Sequence, residues 1–202
     1  MPIRRPRLPT RRSDPNSSEF PEPSRLLSTE EIIRGAREVA AVAAKSKARV
    51  ALIGGAAMHS YGSDRNTSDV DVASAVELPL KRGRSLSFGG FSTTTVSGVP
   101  IDLVIRDDKY ERLYLDAIDT AVKRPRMPLP VARPEEIIAM KMVAAREKDQ
   151  NDIDFLLGTG AVDHDRARRI VGEYLGVYAA DEYDRLVEVA EWLRERDKRR
   201  GR

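Results

Sequence analysis

The spacing of apolar positions changes along the chain, and each change marks an expected element. From Leu27 onward, Ile32, Ile33, Ala36, Val39, Ala40 and Ala43 recur at the three-and-four spacing of an amphipathic helix. Ser28 and Glu31 have the spacing of a capping box, which places a first helix at about residues 28–45. Val50-Ala51-Leu52-Ile53 is a short apolar run ending in Gly54-Gly55, the pattern of a buried strand feeding a tight turn, with a short helix expected from Ala56 to Tyr61. Asp69-Val70-Asp71-Val72 alternates carboxylate with β-branched side chain, so on a strand both carboxylates project from one face and the valines from the other. Phe91 to Val96 and Val99 to Ile105, separated by Ser97-Gly98, have the pattern of a hairpin whose second strand carries Asp102. Pro134 suits a first helical turn and Glu135-Glu136 suit its positive end, predicting a helix over about 134–157. Beyond it, Ile170, Tyr174, Leu186, Val189, Ala190 and Leu193 predict one or two packed helices within about 164–200.

Composition narrows this to a fold class. The chain has 202 residues, 41% apolar and 33% charged, with no cysteine and a formal net charge of +3. That length suits one compact unit with appendages, and without cysteine there is no disulfide framework, thiolate metal site or thiol nucleophile. No run of uncharged apolar residues is long enough to span a membrane, and the basic opening lacks the apolar core of a signal peptide, so a cytoplasmic protein is expected. Residues 1–25 are rich in Pro, Arg and Ser and are expected to be a disordered basic tail. Residues 26–130 are expected to form a catalytic core and 131–202 a helical C-terminal region. The expected fold is α/β (α+β), a small mixed β-sheet flanked by helices. Arg4, Arg5, Arg7, Arg11 and Arg12 crowd one end and Lys198, Arg199, Arg200 and Arg202 the other. Such ends either contact nucleic-acid phosphates or are solvated tails, and charge alone favours the latter.

Two carboxylates two residues apart on a strand, with a third on a neighbouring strand, make an oxygen cluster suited to Mg²⁺ or Mn²⁺, hard cations that bind carboxylates together with substrate phosphates. Asp69, Asp71 and Asp102 are the candidates. Gly54 and Gly55 allow backbone amides to approach a triphosphate without side-chain obstruction. Singly, an acidic pair on a strand is commonly surface charge and a diglycine commonly a turn; their succession carries the signal.

Taken together, GGAAMHSYG, then Arg65-Asn66-Thr67-Ser68, then Asp69-Val70-Asp71 resemble the nucleotidyltransferase superfamily, and Ile101-Asp102-Leu103-Val104 resembles its third carboxylate element. The stretch PEEIIAMKMVAAREKDQNDIDFLL is similar to the late motif of the AbiEii-like and minimal nucleotidyltransferases, which include toxin components of toxin–antitoxin pairs. The resemblance spans about residues 50–157 and is more specific for superfamily than for substrate. It implies a nucleotidyltransferase core and transfer of a nucleoside monophosphate from a nucleoside triphosphate to an acceptor hydroxyl, with pyrophosphate released. Asp69, Asp71 and Asp102 would be the metal carboxylates. Many members have Gly-Ser after the first strand; Gly54-Gly55 here supplies no such hydroxyl.

On one continuous helix, at about 100° per residue, Lys141, Lys148 and Asp152 share a face with Asp149 at its edge, opposite Ile138 and Met142. Periodicity alone favours a solvated, ion-paired face; the resemblance reverses that preference, giving Lys141 and Lys148 to phosphate charge and Asp149 or Asp152 to orienting the lysine or the acceptor. Arg65 is a further phosphate candidate. His59 and His164 have no metal-ligand spacing, and Tyr61 and Trp192 read as packing residues. Expected partners are a nucleoside triphosphate, the 3′ end of tRNA or another RNA, and a cognate antitoxin or partner protein. The competing readings are a binding module on a degenerate fold, an antitoxin using basic tails, and transfer to a protein or small-molecule acceptor.

Overall fold

The computed structural model describes residues 25–201, so the expected tail falls almost wholly outside the described residues. Helix α1 (Thr29–Ser46) opens with the full capping box, Ser28 accepting from the Glu31 amide while Glu31 accepts from the Ser28 amide. Then follow β1 (Val50–Leu52), α2 (Gly54–Ser60), β2 (Val70–Ser74), β3 (Gly90–Thr94), β4 (Pro100–Val104) and α3 (Glu111–Asp119). Four further helices complete the described chain: α4 (Pro134–Ala144), α5 (Glu147–Thr159), α6 (His164–Leu175) and α7 (Val177–Arg199).

The sheet is mixed, in the order β1-β2-β4-β3. β2 pairs parallel with β4, setting Asp71 beside Asp102, while β1 and β3 flank them antiparallel. Val70, Val72, Ile101 and Leu103 are fully buried on the face away from the two carboxylates. α1 lies against that apolar face: Gly35 passes so close that an added Cβ would stand 2.7 Å from Val99 Cγ1 and 3.3 Å from Ile101 Cδ1. On the other side of the sheet, α3 packs on β1 and β2 and against α4, and α4 packs in turn on α5 and α6.

The expected hairpin forms, although its strands stop short and Val96 is fully exposed. The expected helix over 134–157 divides in two. Ala145 adopts a left-handed backbone (φ 49°) and closes α4 by donating its amide to Lys141, and Arg146 then starts α5. Ala is the best helix former, so nothing local ends the helix there; the break turns α5 back so that Asp149 and Asp152 reach Lys141. The last region does form two helices; in the far part of α7 Val189, Trp192 and Leu193 are exposed, with Arg196 over the Trp192 ring at 5.0 Å, while Arg194 binds the Leu157 carbonyl of α5. Tyr61 does pack, donating to the Ala132 carbonyl at 2.8 Å beneath the Arg124 guanidinium. α3 is not anticipated by the sequence pattern.

A β-carbon in the left-handed region costs about 1–2 kcal/mol, partly offset when glycine adds unfolded-state entropy. Ala145→Gly is therefore expected to raise stability by roughly 0.5–1 kcal/mol in urea denaturation; a loss of stability would show that the break is not strained.

Candidate active site

Asp69 stands immediately before β2 and is held by hydroxyls, Ser68 Oγ at 3.1 Å and Thr67 Oγ1 at 3.5 Å. Asp71 and Asp102 are register partners on the adjacent parallel strands, so their side chains leave the same face. All three line one cleft of ≈ 1010 Å³. Burial, then the charges of Asp69 and Asp102, push the Asp71 carboxyl up to about 7, against the opposing influence of the Gly55 amide and Lys141. Burial and Asp69 likewise raise Asp102, with Arg84 pulling the other way. Among the described residues no group of three or more His, Asp or Glu side chains is close enough together to hold a metal ion as it stands. The three aspartates share the cleft and repel one another within it.

The diglycine is required by packing. Gly54 has φ +59°, and a Cβ there would collide with the Asp71 carboxylate; a Cβ on Gly55 would stand 2.6 Å from Thr67 Oγ1. The Gly55 amide, expected to face a triphosphate, donates instead to Asp71 Oδ2 at 3.2 Å. Both glycines still line the cleft. The pair thus lets the first turn of α2 close over Asp71.

The cleft is also lined by cations. Lys141, 6% exposed, reaches Asp149 Oδ1 at 2.9 Å and Asp152 Oδ2 at 2.5 Å. Arg146 binds Asp149 from the other side with Nε at 2.7 Å, and Arg65 pairs with Asp152. Burial would raise Asp149, but the hydrogen bonds from Arg146 and Lys141 outweigh it and hold the carboxyl at about 2. Three cations thus meet two carboxylates, leaving one positive charge unmatched in a network whose Arg65, Lys141 and Arg146 line the cleft. Asp149 and Asp152 are buried behind Lys141 and are not among the residues lining the cleft, which makes them positioning groups rather than groups facing an acceptor. Lys148 is exposed at the rim; with the helix broken, it no longer shares a continuous face with Lys141. Arg65, the further phosphate candidate, lines the cleft and pairs one guanidinium nitrogen with Asp152.

Arg84, Arg106, Arg146, Phe88 and Tyr114 also line the cleft and were not among the sequence candidates. The one available hint was the basic, Gly- and Ser-rich stretch between β2 and β3, KRGRSLSFGG. His59 is half-buried with Nε2 unbonded, and His164 Nδ1 is 2.9 Å from the buried Tyr183 hydroxyl; neither lines the cleft.

No family model matches the sequence, and no curated protein does either. Among solved structures, the chain is similar to an antigenic nucleotidyltransferase-like protein from Paracoccidioides brasiliensis at 15% identity and a TM-score of 0.48, covering 81% of this chain and 95% of that one. It is also similar to the antibiotic-resistance factor ANT(2'')-Ia at 15% identity and a TM-score of 0.50, covering 78% of this chain and 98% of that one. The chain thus shares the fold of ANT(2'')-Ia, a mixed sheet flanked by helices. No helix among the described residues is long and apolar enough to cross a membrane.

Two outcomes follow for stability. The folded state keeps a proton on Asp71 up to about pH 7 and the unfolded chain only to about 3.8, so metal-free stability falls as pH rises between them. In chelator, Asp71→Asn is expected to melt above the wild type at about pH 8, with the difference closing as pH falls to about 4; a lower melting point at both would refute the crowding. Lys141→Ala strips the shared partner from two buried carboxylates and is expected to cost about 3 kcal/mol or more, against under about 1 kcal/mol for Lys148→Ala, by chemical denaturation.

Proposed function

We propose that this chain is a metal-dependent nucleotidyltransferase that moves a nucleoside monophosphate from a nucleoside triphosphate to an acceptor hydroxyl. One observation carries the reading: the carboxylates Asp69, Asp71 and Asp102 line a single cleft together with the cations Arg65, Lys141 and Arg146. Carboxylates alone would repel a triphosphate, and cations alone would not activate a hydroxyl; the two together suit phosphoryl chemistry.

The donor set fits a hard divalent cation. It is all oxygen, and burial together with the charges of Asp69 and Asp102 pushes the Asp71 carboxyl up to about 7, a burden of negative charge that a cation would relieve. Asp69, Asp71 and Asp102 would hold Mg²⁺ or Mn²⁺, which when bound supplies Lewis-acid stabilisation of charge on the phosphoryl oxygens. Lys141, Arg65 and Arg146 balance triphosphate charge within the cleft, with Lys148 at the rim, while Asp149 and Asp152 fix the Lys141 ammonium in place. Gly54 and Gly55 leave the backbone bare where the β and γ phosphates enter. The acceptor oxygen bonds to the α-phosphorus as the bond from that phosphorus to the bridging oxygen breaks, pyrophosphate leaves, and Asp102 takes the hydroxyl proton. Burial and the Asp69 charge raise the proton affinity of Asp102, which suits it to that task. On this reading residues 26–130 are the catalytic core and 131–202 the helical region that brings Lys141 to it.

Within the same reading the acceptor is the 3′ end of a tRNA, in a toxin-type cytoplasmic enzyme held in check by a partner protein. What supports this is the resemblance of the late motif and the basic end of α7, where Arg196, Lys198 and Arg199 follow one another within a turn.

The test is to incubate the protein with Mg²⁺ and each α-labelled triphosphate in the presence of total RNA, protein extract or aminoglycosides. Label is expected on RNA and is expected to fall steeply with salt. Asp71→Asn and Asp102→Asn are expected to lower transfer by about 100-fold or more. Near-normal transfer by Asp71→Asn would refute the centre; label confined to protein or a small molecule would refute the polynucleotide acceptor alone.

A further inference from the structure

The cleft has an ionic region and an aromatic one. Phe88 and Tyr114 are the aromatic residues lining it among the described residues, on the same cleft as the carboxylates and the cations. Phe88 is 39% exposed, so its ring is open to a ligand in the cleft.

Phe88 is held there by its backbone. Residues 83–92 form a tight hairpin: Gly83 donates to the Ser92 carbonyl at 2.9 Å, Ser92 to the Arg84 carbonyl at 2.8 Å and Leu86 to the Gly90 carbonyl at 3.1 Å. At its tip Gly89 and Gly90 have φ of +101° and +92°, and a Cβ on either would collide with the Ile105 or Leu103 carbonyl of the neighbouring strand segment. Two glycines in conformations closed to other residues thus press the tip onto β4 and fix the position of Phe88. One further support comes from Arg106. Its side chain is only 7% exposed, its Nε is bound to Asp108 at 2.9 Å, and its guanidinium lies 5.9 Å from the Phe88 ring centroid and 5.1 Å from that of Tyr114. The ring is therefore backed by a fixed cation.

We infer that Phe88 is a stacking platform for a nucleobase, placed by the Gly89-Gly90 turn and backed by Arg106. The inference rests on the proposed reaction and deepens it. A ligand occupying both regions of the cleft must have an anionic part for the cations and a planar, weakly polar part for the ring, which a nucleotide has. A phenyl face offers no hydrogen bond, so it accepts every base alike. The same chemistry is found in the base of the triphosphate and in the terminal base of an RNA acceptor.

The experiment compares wild type, Phe88→Ala and Phe88→Trp by calorimetric titration with Mg²⁺ and each of the four nucleoside triphosphates, with inorganic tripolyphosphate, and with a single-stranded RNA trinucleotide. Phe88→Ala is expected to weaken binding of a base-bearing ligand about 5- to 100-fold, with similar losses across the four bases, and to leave tripolyphosphate binding unchanged. Phe88→Trp is expected to restore or tighten binding, and in a Trp192→Phe background its fluorescence should be quenched by the base-bearing ligand and not by tripolyphosphate. Loss confined to the triphosphates assigns the platform to the donor base, and loss confined to the trinucleotide assigns it to the acceptor. Unchanged affinity for both, or an equal loss for tripolyphosphate, overturns the platform while leaving the triphosphate site in place. A wild type that binds tripolyphosphate as tightly as the triphosphates, with no affinity for the trinucleotide, also overturns it. Failure of the wild type to bind any triphosphate overturns the proposed reaction together with the platform.

Discussion

Parallel pairing of β2 with β4 sets two carboxylates side by side on one face of the sheet, and the rest of the site is arranged around them. The pairing is fixed from the other face, where Val70, Val72, Ile101 and Leu103 are sealed beneath α1. A slip of one residue on either strand would bring a carboxylate into that apolar layer. The burial that secures the fold thus also holds Asp71 beside Asp102. The cost is visible in Asp71, whose carboxyl is pushed up to about 7 by burial and then by the charges of Asp69 and Asp102.

The answering charge is assembled from distant parts of the chain. Arg65 lies in the loop leading to β2, Lys141 near the end of α4, and Arg146 at the joint before α5. None would be held in place without the buried pair Asp149 and Asp152, which are nearly inaccessible and fully engaged. Buried ion pairs add little net stability but fix geometry, since any rearrangement strands a charge away from water. Here they fix the distance between the helical region and the sheet.

Much of this could be read in the sequence because it depends on local pattern. The alternation in Asp69-Val70-Asp71-Val72 and the Ser28–Glu31 box act over two to three residues, and both gave the observed elements. The break at Ala145 could not be read, because alanine carries no stop signal and the turn is imposed by the ion pairs that form beyond it. For the same reason Lys148 left the stripe on which a continuous helix would have placed it. α3 has no side-chain cap and only nine residues, too little for a periodic signature. Arg84 and Arg106 reach the cleft through loops whose course is set by Gly89 and Gly90, a tertiary effect. Trp192 shows the opposite error: an aromatic that reads as a packing residue stands exposed on α7.

The hairpin that carries Phe88 also occupies the outer edge of β3, since Gly83, Arg84 and Leu86 take up backbone groups that would otherwise face solvent. At the opposite edge the 130–132 segment does the same for β1, Leu52 donating to the Pro130 carbonyl at 2.7 Å and accepting from the Ala132 amide at 3.0 Å. A small sheet with an apolar face is prone to strand addition by neighbouring molecules wherever an edge is bare. With both margins occupied by the chain's own loops, the sheet has little unpaired backbone to offer a second copy, and colloidal behaviour depends in part on the same hairpin that lines the cleft.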